Sequence, residues 1–276
     1  SKSDTILAIG LDRMELLSPW DHKQLFLTID SVYVPPNETV GNPLASAYGP
    51  LKDLLKSVAT GVNQRQTWTT EEIKEFWTQA MHELGAYRNH LNAASVLVHA
   101  RKAAPQNTIL TTEAGVYGRV NLYAWQVYEP QTYFDSSGAN TMGFSVPAAL
   151  GASLVRPNQK TICLVGDSGF LMRASELETA ARLNLAPVII IFDDTTLGMI
   201  RIKQRSKGYV RDGVDLAQTN FVRLAESFGG QGWEVNELNE FDSAFRTALD
   251  SNKMTVIDVR VNPDEYADHI KPIRGI

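Results

Sequence analysis

Two aspartates lying 194 minus 167, or 27, residues apart carry the most suggestive chemistry in this chain. Asp167 stands in VGDSGF, residues 165–170, directly after an apolar run and between Gly166 and Gly169, and Asp194 closes the run VIIIFDD. One helix and one strand fit that spacing, so two neighbouring parallel strands would deliver both carboxylates to one sheet edge. Backbone N–H groups of a glycine turn leading into a helix favour phosphate. A carboxylate in the same turn would repel it unless a divalent cation bridged the two. Mg2+ combines one or two carboxylates with phosphate oxygens and water. The same two residues also read as ordinary acidic loop positions.

Ser168 suggests a different chemistry, because Gly166 to Gly169 spell the tetrad around the nucleophilic serine of trypsin-like proteases. Those enzymes are antiparallel barrels, usually with disulfides, and need a histidine and an aspartate beside the serine. Here Phe170 and Leu171 follow the tetrad, no G-x-S-x-G surrounds Ser168, and the one cysteine, Cys163, reads as a buried strand residue. His22, His82, His90, His99 and His269 form no metal-ligand spacing. Neither a P-loop nor G-x-G-x-x-G is present. A net charge of -5 argues against nucleic acid and anionic membrane as partners. The longest apolar run, VIIIF, is too short to span a bilayer, and the N-terminus lacks the shape of a cleavable signal. The expectation is a soluble, cytoplasmic protein.

The elements that would position Asp167 and Asp194 alternate along the chain. Strand TILTTE, a helix near 117–127, strand TYFDSS, helix PAALGASLV, strand TICLVGD, helix ASELETAARLN and strand PVIIIFDD follow one another. Their strands are continuous apolar runs, as expected for a parallel sheet covered on both faces. NFVRLAESFGG and SAFRTALDS read as helices and MTVIDVRV as a closing strand. The fold class is therefore α/β, a parallel β-sheet flanked by helices on both faces. Upstream, DTILAIG and QLFLTIDS read as strands, with a helix start after Gly10, so residues 1–60 form part of another α/β domain. The polar stretch 61–70 reads as a linker and 71–276 as the main domain. Thr69 and Glu72 fit a capping box for a helix carrying Ile73, Phe76, Trp77 and Ala80 on one face, and a second helix covers about 91–103.

GDSGF with the second Asp of DD 27 residues on resembles the thiamine diphosphate signature, usually G-D-G, a spacer, then N-N or N-D. TTEAG, SSGANTMGFSVPAALGASL, ELETAARLN, LGMI and FVRLAESFGGQGWEV are likewise similar to stretches of acetolactate synthase and its relatives. The resemblance covers about 70–276 and, more weakly, 1–60. It implies that Asp167, Asp194 and the Thr196 carbonyl hold Mg2+ against the diphosphate, with Ser168 and Gly169 offering backbone N–H groups. Asn140 would present its carbonyl to the aminopyrimidine, beside Gly138. Met142 would be the apolar residue that keeps the cofactor bent. Gly115, Val116, Tyr117, Leu197, Gly198 and Met199, with Gly166, would line the diphosphate and thiazolium.

The sequence departs from the family pattern at several of these places. Asp193 and Asp194 replace the more usual Asn pair, and the extra carboxylate should bind cation more tightly while repelling diphosphate slightly. Val116 and Tyr117 stand where biosynthetic relatives often have Gln and His, and Lys203 where some have Trp. Arg201, Lys203, Arg205, Lys207 and Arg211 read as a solvated charged face, or as the border of an active-site cover. The resemblance implies three α/β domains in the whole enzyme. The glutamate that protonates the pyrimidine lies in the first, so no catalytic glutamate is expected in this chain. The expectation is a fragment or one piece of a cleaved enzyme that acts on a 2-oxoacid such as pyruvate, to give a product such as acetolactate. Its partner would be the pyrimidine-binding domain of another subunit in a homodimer or homotetramer. Simple decarboxylation or oxidation, or a cofactor-binding module without turnover, are the other readings. Nothing in the sequence supports FAD, which the resemblance leaves open for the full-length enzyme.

Overall fold

The computed structural model describes residues 4–11, 24–34, 43–61, 68–136 and 139–269. The chain divides into two units, residues 1–72 with 137–139, and residues 73–136 with 140–276. In the first, β1 (Thr5–Ile9), β2 (Leu25–Asp30) and β3 (Ala45–Tyr48) pair in parallel in that order, followed by α1 (Leu51–Gly61). Phe26 and Ile29 are its buried anchors. The helix start expected after Gly10 falls on 12–23 and most of the expected linker on 62–67, both outside the described residues.

The second unit holds six parallel strands: β4 (Ile109–Thr112), β5 (Tyr133–Asp135), β6 (Thr161–Gly166), β7 (Val188–Asp193), β8 (Gln231–Val235) and β9 (Thr255–Arg260). Their order is β5-β4-β6-β7-β9-β8. Alternate side chains of the central strands leave for opposite faces. Ile162 and Leu164 join Leu97 of α3 (Ala93–Ala103), Val120 of α4 (Val116–Ala124) and Phe241 of α10 (Leu238–Asp250). Cys163 and Val165 join Val146 of α5 (Ser145–Val155), Leu177 of α7 (Glu176–Arg182) and Phe221 of α9 (Phe221–Ser227). Because both faces are covered, every residue of β6 before Gly166 is buried, and so is every residue of β7. This is the two-faced parallel sheet that the unbroken apolar runs predict. Truncating one of its buried isoleucines, such as Ile190, would cost about 2–5 kcal/mol.

From β4 the chain moves outward to β5 and then returns to the other side of β4 to form β6. The carboxyl ends of β4 and β6 therefore flank a switch point, where parallel sheets open a crevice.

α2 (Thr70–Glu83) opens on the capping box read from the sequence: Thr69 Oγ1 accepts from Glu72 N–H at 3.1 Å, and Glu72 Oε2 accepts from Thr69 N–H at 2.9 Å. Its apolar face is open, with Ile73 46%, Phe76 63% and Trp77 45% exposed. Among the described residues no helix is long and apolar enough to cross a membrane.

Candidate functional site

Gly166 at the end of β6 lies in register with Phe192 of β7, so the residues that follow leave the sheet together at its carboxyl edge. A cavity of about 110 Å3 opens there. It gathers Gly115, Val116 and Tyr117 after β4, Met142 before α5, Gly166, Asp167, Ser168 and Gly169 after β6, and Asp194, Thr196, Leu197, Gly198 and Met199 after β7. The two aspartates thus reach one site by the route their spacing predicts. The volume is below the ~300–1,000 Å3 of a complete small-molecule site. Asn140 stands apart from it in a left-handed turn (φ 48°), where its Oδ1 accepts from Arg119 at 2.8 Å. Gly138 lies outside the described residues.

The electrostatics of the site are those of two buried carboxyl groups held close together. Burial pushes Asp167 up to about 7, and the neighbouring Asp194 charge pushes in the same direction. Burial also raises Asp194, against the Tyr266 hydroxyl and the Thr196 N–H, which favour its ionised form. Asp167 Oδ2 is buried and has no hydrogen-bond partner among the described residues. A buried acceptor of this kind costs about 1–3 kcal/mol unless something satisfies it. Among the described residues no group of three or more His, Cys, Asp or Glu side chains forms a metal cage of its own. Two carboxylates with room for further oxygens is instead the donor set Mg2+ takes when phosphate completes its shell. The residues present fit that ion.

The loop after β7 is built to aim Asp194. Asp193 Oδ1 accepts from Thr195 N–H at 3.1 Å and Asp194 Oδ1 from Thr196 N–H at 2.8 Å, two successive side-chain turns that force Thr195 to φ 53°. A β-branched residue in the left-handed region costs about 1–3 kcal/mol. Bonds to the segment 214–216 hold it: Leu197 N–H to Val214 O at 2.8 Å, Thr196 Oγ1 to Val214 O at 2.8 Å, and Leu216 N–H to Thr195 O at 2.9 Å. The Thr196 carbonyl accepts from Gly198 N–H at 2.9 Å, which leaves one lone pair for a cation. Gly198 opens α8 (Gly198–Ser206), which carries the start of the basic run.

The short helix α6 (Asp167–Leu171) begins at Asp167 itself, and the Ser168 N–H donates to Asp167 Oδ1 at 2.6 Å. A buried carboxylate one residue upstream takes the nearest donor. The histidines described are engaged away from Ser168: His90 with Glu265, His99 with Asp242, His269 with the Leu84 carbonyl, and His82 against the Tyr87 ring. His22 lies outside the described residues. Cys163 is buried, which pushes its thiol up to about 12.

Glu113 and Tyr266 line the same cavity and were not singled out by sequence. Glu113, 3% exposed, accepts from Gly143 N–H at 3.0 Å and from Ser145 N–H and Oγ–H at 2.9 Å each. It ties the end of β4 to the loop that carries Met142. Its signal was an acid ending an apolar strand ahead of a small residue and Gly, as at Asp167. Tyr266 has no local signal, because it reaches the cavity from beyond β9.

Residues 113–259 match the thiamine pyrophosphate enzyme family through its C-terminal TPP binding domain. The chain is 27% identical to an acetolactate synthase of Bacillus subtilis (strain 168), over 98% of this chain and 48% of that protein. It is 29% identical to a probable acetolactate synthase large subunit of Methanocaldococcus jannaschii, over 99% of this chain and 49% of that protein. The chain thus spans about half the length of these relatives. Its fold is similar to the thiamine diphosphate-dependent 4-hydroxybenzoylformate decarboxylase of Rhodococcus jostii RHA1, with TM-score 0.72 and 22% identity, over 94% of this chain and 49% of that one.

Proposed function

The chain belongs to the thiamine pyrophosphate enzymes, and from that premise we propose that it is the diphosphate-side portion of a Mg2+-dependent 2-oxoacid decarboxylase and carboligase of the acetolactate synthase type. The observation that carries the reading is the buried Asp167 Oδ2, without a hydrogen-bond partner among the described residues, beside Asp194 at the carboxyl edge of the sheet. Asp167, Asp194 and the Thr196 carbonyl would hold Mg2+, and through it the diphosphate. Met142, with Leu197 and Met199, would press on the thiazolium end and exclude water. When bound, thiamine diphosphate supplies the carbanion chemistry that releases CO2 from a 2-oxoacid such as pyruvate and joins the remainder to a second carbonyl.

The pyrimidine side would come from the pyrimidine-binding domain of another subunit, in a homodimer or homotetramer. The exposed Ile73, Phe76 and Trp77 face of α2 supports such a partner. Val116 and Tyr117, in place of Gln and His, favour a second reading, decarboxylation or oxidation without ligation. On either reading the isolated chain binds cofactor and does not turn over.

Calorimetric titration of the chain with thiamine diphosphate, with and without Mg2+, tests the bridge. Binding should require Mg2+ and be lost in Asp167→Ala; binding that ignores both changes would sink the proposal. Acetolactate formation from pyruvate by this polypeptide alone would overturn the claim that it needs a partner domain.

A further inference from the structure

Asp193 is the departure from the family pattern that the cation site does not absorb. It sits directly before Asp194, its side chain is 1% exposed, and its charge, like that of Asp194, acts on Asp167. Three carboxylates around one divalent ion and a diphosphate would be one negative charge too many. Across the sheet, Asp193 of β7 is the register partner of Arg260 of β9, and Arg260 Nη1 forms an ion pair with Asp193 Oδ2. Gln218 Nε2 donates to the same oxygen at 3.3 Å. Asp193 is the last residue of β7 and does not line the cavity, whereas Asp194, directly after the strand, does.

We propose that Arg260 is a positioning residue of the cation site: it binds Asp193 across the β7–β9 pair, cancels that charge, and leaves Asp167 and Asp194 as the two carboxylates presented to the metal. The inference rests on the Mg2+-diphosphate reading above. Arg260 Nη2 also lies 2.8 Å from Glu234 Oε2 and 3.0 Å from Asp258 Oδ2, so the guanidinium serves three acids. Its service to Asp193 is the one the metal site feels.

Charge compensation has a signature that a folding defect lacks. An added negative charge strengthens cation binding and weakens the anion that follows, whereas a damaged site loses both. The probes are Mn2+, followed by electron paramagnetic resonance at pH 8, and inorganic pyrophosphate added to the Mn2+-loaded protein. Arg260→Met is expected to tighten Mn2+ and weaken pyrophosphate, each by at least about threefold for one charge near the site. Arg260→Met with Asp193→Asn is expected to return both to within about twofold of the starting protein, by removing the surplus charge. Arg260→Met with Asp258→Asn should keep both shifts. If Arg260→Met leaves both affinities unchanged, or lowers both without rescue by Asp193→Asn, the inference is overturned.

Should Arg260→Met fail to fold, the Asp193→Asn double variant is expected to recover the fold, and its failure to do so also counts against the pair. A starting protein that binds no Mn2+ overturns the underlying reading instead. The urea midpoints then decide the pairing alone: Asp193→Asn must repair the loss caused by Arg260→Met better than Asp258→Asn does.

Discussion

The ring of Tyr117 lies flat against that of Phe192, with centroids 4.8 Å apart and planes 5° from parallel. The stack joins the first turn of α4 to the end of β7, and the Tyr117 hydroxyl accepts from the Gly166 N–H at 2.9 Å. One side chain therefore fastens the start of α4 to the ends of β6 and β7 around the cavity. Tyr117→Phe keeps the stack but removes the acceptor, and should lower unfolding free energy by about 1–2 kcal/mol. Tyr117→Ala should cost about 3–5 kcal/mol. Urea denaturation separates them, and equal losses would show that the hydroxyl, not the stack, holds the site. Gly115→Ala should mimic part of the loss, because a Cβ there would fall 2.3 Å from Tyr117 Cε1.

The parts of the site that lie on central strands were legible in the sequence. TICLVG and VIIIFD are apolar at nearly every position because helices cover both faces of β6 and β7, and that pattern also fixes where each strand ends and where Asp167 and Asp194 emerge. β8 was missed: QGWEV is an edge strand carrying Gly232 and Glu234, and Val235 alone among its residues is fully buried. So was β3, whose ASAY has too little apolar surface to declare itself. Ile73, Phe76 and Trp77 share a helix face as periodicity says, but periodicity cannot tell a face that packs inward from one left open. Tyr266 and Arg260 act across long sequence separations, through strand order alone.

Glu113 is the latch for the Met142 loop, and its carboxylate must be an acceptor on both oxygens to serve Gly143 and Ser145. Glu113→Gln turns one acceptor into a donor facing an N–H. It should destabilise the protein by about 1–3 kcal/mol and free the loop. Thermolysin cleavage near Phe144, faster in the variant than in the parent, would report that release. Gly169→Ala should act through the same contact, since its Cβ would sit 1.9 Å from Glu113 Oε1. A variant with unchanged proteolysis and an unchanged unfolding midpoint would remove Glu113 from the positioning of Met142.

The raised carboxyls give the metal-free protein an inverted pH dependence. Asp167 rises from 3.8 to about 7 and Asp194 from 3.8 to about 6, mainly through burial. Below about pH 4 both are protonated, folded or unfolded. Between there and about 7 the unfolded chain loses those protons first, so the folded state binds more protons and stability falls as pH rises. The urea midpoint should therefore be higher at pH 5 than at pH 7.5 in the presence of chelator. Asp167→Asn should shrink the difference without abolishing it, because burial also raises Asp258, to about 7, and Glu113. A midpoint that climbs over this range, in parallel for both proteins, would contradict the assignment.

Ser168 and Asp167 are neighbours with opposite expected sensitivity. Ser168 contributes a small residue in the turn after β6, half-buried, whereas Asp167 contributes a buried oxygen with no hydrogen-bond partner among the described residues. Mg2+ with inorganic pyrophosphate should raise the melting temperature of the parent, because a ligand that binds only the folded state stabilises it by mass action. Ser168→Ala should retain that rise. In Asp167→Asn it should disappear, since losing a direct ligand costs more than the roughly 10–100-fold typical of an outer partner. Without ligand, however, Asp167→Asn should melt higher than the parent, since an amide is cheaper to bury than a carboxylate. That crossing, stabler when empty and unresponsive when supplied, separates a metal ligand from a residue that merely supports the turn; a variant weaker under both conditions would reassign Asp167 to structure.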